Sequence, residues 1–144
     1  MKTKQTQRGI EYDLEIVSFH NGNKTTTFEV LATVENGSET FEIEVEHYGH
    51  PFTYDDVNEA ELDLTEVEQW ADDTEISFLV SEIQKTCINK STVNKYYAYT
   101  VYTNDTFTVS VMVFEKVLGH IGNVLESVNL KGVSQVNDWL VLNK

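Results

Sequence analysis

Between residues 25 and 84 the chain has no Lys and no Arg, yet seventeen of its twenty-four Asp and Glu fall there. The remaining 84 residues hold seven acids and ten bases, a formal +3, so the net −14 is regional rather than uniform. Other shortages narrow the field. Cys87 is the one cysteine, which rules out an internal disulfide and makes a reducing, cytoplasmic setting the default expectation. Pro51 is the one proline, and Lys outnumbers Arg nine to one, a bias compatible with the AT-rich genomes of many phages and low-GC bacteria. No window approaches 18 consecutive apolar residues, so no membrane-spanning helix is expected. The basic start Met-Lys-Thr-Lys-Gln-Thr-Gln-Arg-Gly has no apolar run behind it and does not read as a signal peptide. The sequons at Asn23, Asn36, Asn89 and Asn104 are then expected to stay unmodified.

Catalytic patterns are also missing. Asp55-Asp56-Val57-Asn58-Glu59 lacks the spaced ligands, central glycine and distant Glu of an EF-hand loop. His47-Tyr48-Gly49-His50 matches no zinc spacing and reads as two surface histidines near Pro51. Cys87 has no partner histidine in its sequence context and reads as a small core residue. There is no phosphate-binding glycine loop, nucleophile elbow or dinucleotide fingerprint. Twenty-four carboxylates offer no basis for selecting a glycosidase pair. The expectation is a non-enzymatic protein with no catalytic residues, metal or cofactor.

What is present reads as a folded domain. Hydrophobic content of 40% with 11% aromatics is too rich for a disordered acidic tail. A single domain over residues 1–144 is expected, with residues 1–8 frayed. Ile10, Tyr12, Leu14 and Ile16 alternate with acids, as in a half-buried strand. A second strand turns Phe28, Val30, Ala32 and Val34 inward, and a third turns in Phe41, Ile43 and Val45. Asn36-Gly37 supplies a hairpin signal between them. Thr65-Glu66-Val67-Glu68 has the form of a capping box and starts a helix near Thr65, with Asp73-Thr74 as an alternative second start. Ile76, Leu79, Val80, Ile83 and Cys87 share one helical face.

Residues 92–103, with Tyr96, Tyr97, Tyr99 and Tyr102, read as a strand turning at Asn104-Asp105. The run from Phe107 to Phe114 is apolar on both faces, as in a central strand covered twice. Gly119, Gly122 and Gly132 punctuate what reads as an irregular tail, closing in a short helix or strand over 133–142. The fold class is therefore α+β. The expected order is βββ-α-ββ-(short α or β), with a mostly antiparallel sheet and a helix packed on one face.

The acids form two candidate groups. A two-residue loop at Asn36-Gly37 would set Glu29 opposite Glu44 and Leu31 opposite Glu42. A three-residue loop over Asn21–Asn23 would set Glu15 opposite Glu29. Glu15, Glu29 and Glu44 would then form one row, flanked by Asp13 and Glu42 and extended by Glu11 and Glu46. Strands lie about 4.8 Å apart, inside the roughly 8 Å Debye length at physiological salt, so such a row repels itself. The second group runs through Asp55, Asp56, Glu59, Glu61, Asp63, Glu66, Glu68, Asp72, Asp73 and Glu75, of which a helix start can use only part.

Seventeen charges match about 29 Å of duplex DNA at one charge per roughly 1.7 Å. This is about the width of a domain with a radius of gyration near 15 Å. The expected partner is a basic host protein, normally nucleic-acid-binding, met by a DNA-mimicking inhibitor. Phage and mobile-element inhibitors of host restriction or CRISPR systems act in this way, and the chain is similar to them in size and charge only. Direct nucleic-acid binding is disfavoured by the net charge, despite the tyrosine run. The alternative is a structural or assembly accessory subunit, such as a small virion component, that makes contacts through a sheet edge and the tyrosines. Homo-oligomerisation is left open.

Overall fold

The computed structural model of the chain describes residues 2–57, 62–104 and 106–144. Among these residues nine elements follow in order: β1 (Lys2–Gln5), β2 (Glu11–Asn21), β3 (Thr25–Val34), β4 (Gly37–Glu46), α1 (Thr65–Lys90), β5 (Lys95–Tyr102), β6 (Thr108–Val117), β7 (His120–Lys131) and α2 (Gly132–Leu142). The class is α+β with antiparallel sheets, as the patterning implies. The strands divide between two sheets, β1-β2-β3-β4 and β5-β6-β7. The chain correspondingly forms two compact units, one of residues 1–6 and 11–74, the other of residues 7–10 and 75–144.

In the first unit, alternation does what strand geometry requires. Tyr12, Leu14, Phe28, Val30, Ala32 and Val34 are buried on one face, because successive side chains of a strand point to opposite sides. Phe28 anchors this face, with Phe19 and Phe52 rings at 5.8 and 5.5 Å. The first turns of α1 cover it. Val67 and Ala71 are buried, Trp70 meets the Phe41 ring at 5.6 Å, and Tyr12 Oη donates to Glu68 Oε1 at 3.4 Å.

Two registers differ from the expected ones. The second hairpin closes on Glu35–Asn36, with Val34 opposite Gly37, so pairs shift by two residues and Glu29 faces Glu42. Neither Asn36 nor Gly37 takes positive φ, so the mirror-image turn that Asn-Gly favours is not used. In the first hairpin Val17 is an extra residue between Ile16↔Val30 and Ser18↔Glu29. The loop itself spans four residues, 22–25, instead of three, which shifts the pairing by three; the bulge takes one back, and Glu15 lies opposite Leu31 instead of Glu29. Residues 2–5, expected to fray, pair with β2 from Leu14 to Glu11.

The helix is continuous from Thr65 to Lys90, so Asp73-Thr74 is interior and not a second start. The start lies where expected, but Asp63 does the capping. Its Oδ1 accepts the Thr65 hydroxyl at 2.6 Å and the Thr65 N–H at 3.1 Å. Residues of α1 up to Thr74 belong to the first unit and those from Glu75 to the second.

In the second unit, Ile76, Leu79, Ile83 and Cys87 are buried along one face of α1. The helix packs against β5, tied by Ser91, whose hydroxyl accepts Tyr97 N–H at 3.0 Å. Strand β6 is central; Val109, Val111 and Val113 are buried, while Thr108, Ser110, Met112 and Phe114 on its other face are half-buried. The expected irregular tail is instead β7, joined to β6 through Leu118 and Gly119 with φ of 52° and 80°. Helix α2 follows, lies against β7 and buries Val136 and Leu140. The expected turn at Asn104-Asp105 lies partly outside the described residues.

Candidate acidic interface

The outer face of the first sheet can be read row by row from the observed pairing. Glu11 and Asp13 lie beside Gln5 and Thr3 of β1, and Glu15 beside Leu31 and Thr40. Glu29 sits between Ser18 and Glu42, and Thr27 between His20 and Glu44. Glu46 closes the array opposite Thr25. Seven carboxylates thus share this face, and among the described side chains no Lys or Arg does. Lys4 stands opposite the buried Tyr12 and so belongs to the other face. Among the described side chains none of the seven acids has an ion-pair partner.

The expected row of Glu15, Glu29 and Glu44 does not form. Glu29 and Glu42 are the directly opposed pair, with Glu15 and Glu44 offset along the strands. Offsetting costs less than a straight row, because only directly opposite like charges meet at the closest cross-strand separation. Glu15, Glu42, Glu44 and Glu46 are exposed and Glu29 is half-buried. The Glu42, Glu44 and Glu46 side chains also stud an edge strand, where charge discourages pairing with other chains.

The second group is divided by the fold. Asp55, Glu66 and Asp73 are exposed. Asp56 closes its own turn, accepting the Thr53 hydroxyl at 2.8 Å. Asp63 is the helix cap, and the two Thr65 bonds, hydroxyl first, hold its carboxyl below the ordinary value of 3.8. Glu68 is half-buried beside Tyr12. Asp72 and Glu75 are buried, and Asp72 accepts the Thr6 hydroxyl. These last two therefore serve the interior and leave the surface track. Glu59 and Glu61 lie outside the described residues.

The histidine pair separates. His50 is exposed, while His47, expected at the surface, is buried with its ring 5.9 Å from Phe52. Burial follows from its place just after β4, where its N–H donates to Lys24 C=O at 2.9 Å and turns the ring inward. Among the described residues neither of its ring nitrogens has a hydrogen-bond partner. Among the described residues no group of three or more His, Cys, Asp and Glu is arranged to hold a metal ion. No helix among them is long and apolar enough to cross a membrane.

What sequence reasoning missed is apolar. The β6–β7 turn exposes Val117, Leu118 and Ile121, and β7 exposes Val124, Leu125 and Val128. The signal available was the density of Val, Leu and Ile between residues 117 and 128, masked by its glycines. No family model, curated protein or solved structure matches the chain.

Proposed function

We propose that the chain is a non-enzymatic binding protein that presents the outer face of its first sheet to a basic, nucleic-acid-binding surface of a partner protein, as a DNA-mimicking inhibitor does. The observation that supports this most is the exclusion of Lys and Arg from a face bearing seven carboxylates, two of them directly opposed. Folding gains nothing from the Glu29–Glu42 opposition, whereas a cationic partner relieves it. The test is charge reversal on the exposed side of β4. Glu42→Lys with Glu44→Lys should leave the circular dichroism spectrum intact. The same variant should abolish low-salt capture of basic proteins from a lysate. Capture that survives the reversal and ignores added salt would sink the proposal.

A second reading, the accessory or assembly subunit, draws support from β7, an edge strand whose residues 120–129 are all exposed. Long apolar edges are pairing sites unless blunted. Light scattering that reports self-association persisting in high salt would favour this reading over the first.

A further inference from the structure

We propose that the outer edge of β5 is a strand-addition site for an extended acidic peptide. The ladder between β5 and β6 uses the even-numbered residues of β5. Lys116 N–H donates to Asn94 C=O at 2.8 Å, in register with the pairs Lys95↔Glu115 and Tyr96↔Phe114. Odd-numbered residues therefore turn their backbone groups away from β6. The turn after α1 occupies the first of these. Lys95 C=O accepts Thr92 N–H at 2.8 Å, and Tyr97 N–H donates to Ser91 Oγ at 3.0 Å. Beyond that point Tyr97 C=O, both groups of Tyr99 and Val101 N–H face outward with no strand alongside among the described residues, because β5 ends its sheet.

A groove of about 410 Å³ runs beside this edge. Gln84, Cys87 and Ile88 of α1 form one wall, β5 from Tyr96 to Tyr99 forms the other, and Lys116 stands at the rim. A helix beside an open strand edge is the arrangement in which an added strand gains main-chain hydrogen bonds and side-chain selection together. The charge selects the occupant. Lys116 Nζ lies 6.0 Å from the Tyr96 ring centre and Lys90 Nζ 5.9 Å from that of Tyr97. Among the described residues neither lysine is in an ion pair, and no carboxylate lines the groove. Tyr96 and Tyr97 point to opposite faces of the sheet, so the two cations flank the edge on both sides. Two consecutive acids on an extended peptide also point to opposite faces, and one reaches each lysine.

The other open edge, β7, is less suited, since its pairing with β6 is irregular between Val113 and Lys116 and bulges disturb an edge. The inference rests on residues of the second unit alone and stands apart from the acidic-face reading.

The test is fluorescence anisotropy with a labelled Glu-Glu-Val-Thr-Val-Glu-Glu amide. It is run at physiological ionic strength, where the Debye length of roughly 8 Å confines the interaction to charges close to the groove. Methylating alternate backbone nitrogens gives two peptides with the same side chains. The one methylated toward β5 should bind at least tenfold more weakly, and the other should bind like the parent. Replacing every Glu by Lys should abolish binding. On the protein side, Tyr99→Pro removes an outward N–H without touching the β6 ladder and should give the same loss. Should that variant misfold, the methylated pair still decides the matter on the native chain. Equal binding by both methylated peptides, binding by the Lys peptide, or no binding by the parent would each overturn the proposal.

Discussion

The two compact units are nearly equal in length but carry opposite kinds of surface. The first holds eighteen acids and three bases, a formal −15, and the second six acids and seven bases, a formal +1. Exposed large apolar side chains run the other way. Among the described residues, Val17, Tyr48 and Tyr54 are those of the first unit, against thirteen in the second, from Phe78 to Leu142. A charge coat serving solubility alone would be most useful over the apolar unit, and here it lies on the other one. The contrast teaches that the two surfaces differ in kind: contacts made on the first would weaken in salt, and contacts made on the second would not.

The largest expected effects test whether the units are also separate in stability. Phe28 in the first and Phe107 in the second are both buried, at 2% and 0% exposure. Truncation of either to Ala should cost about 3–5 kcal/mol. Hydrogen exchange should show Phe28→Ala lowering protection of β2–β4 more than of β5–β7, and Phe107→Ala the reverse. Equal loss in both sheets from either change would erase the division into units and leave one cooperative domain.

A smaller effect sharpens the apolar side. Leu118 is 95% exposed and held at φ 52°, a left-handed conformation costing a residue with Cβ about 1–2 kcal/mol. Leu118→Asn places Asn-Gly, the favoured pair, in a turn that already has its geometry. The variant should melt higher, by about 1 kcal/mol in stability, and light scattering in high salt should show less self-association. A lower melting point would mean that the leucine stabilises the tip in a way its exposure does not reveal.

The same turn marks the limit of what could be read from sequence. Val117-Leu118-Gly119-His120 carries no standard hairpin signal, so β7 read as an irregular tail. In the first unit the strand faces were legible, because a register error of two residues preserves which side chains point inward. The opposing partners were not legible. They depended on whether the second loop closed at Glu35–Asn36 or one residue later, on a first loop of four residues instead of three, and on the Val17 bulge, which nothing in the composition announces. The acidic face therefore survives from sequence to structure, while the expected straight row does not. Asp72 and Glu75 were misplaced for a different reason: a charge count cannot tell an acid turned into the interior from one left in water.

The acidic side is sharpened by a single reversal within the opposed pair. Glu29→Lys converts Glu29–Glu42 from like to opposite charges. It should stabilise the first unit by about 0.5–1 kcal/mol, measured by urea unfolding at low salt. The gain should shrink as salt is added. If the same change also weakens partner capture, the pair is retained for binding at a cost in stability. A reversal that lowers stability would show that the opposition is already relieved within the fold.

The smallest effects lie at the two ends of the pH scale, one in each unit. Asp63 has its carboxyl lowered from 3.8 by the Thr65 hydroxyl and N–H, so just below 3.8 the unfolded chain binds a proton that the folded chain refuses. Its contribution is complete above 3.8 and fades as pH falls through the folded value. Cys87 is the mirror case. Burial pushes its thiol above 9.0, so just above 9.0 the unfolded chain releases a proton that the folded chain keeps. That contribution is complete below 9.0 and fades as pH rises through the folded value. Asp63→Asn keeps an acceptor for Thr65 without the charge, so its stability difference from the parent should narrow only on the acid side. Cys87→Ala should narrow its difference only on the alkaline side. Because other acids lie close to Asp63 in sequence, the difference between parent and variant, and not the acid limb itself, isolates its share. If the Asp63→Asn difference stays constant below 3.8, the cap acts through hydrogen-bond geometry alone and its charge is incidental.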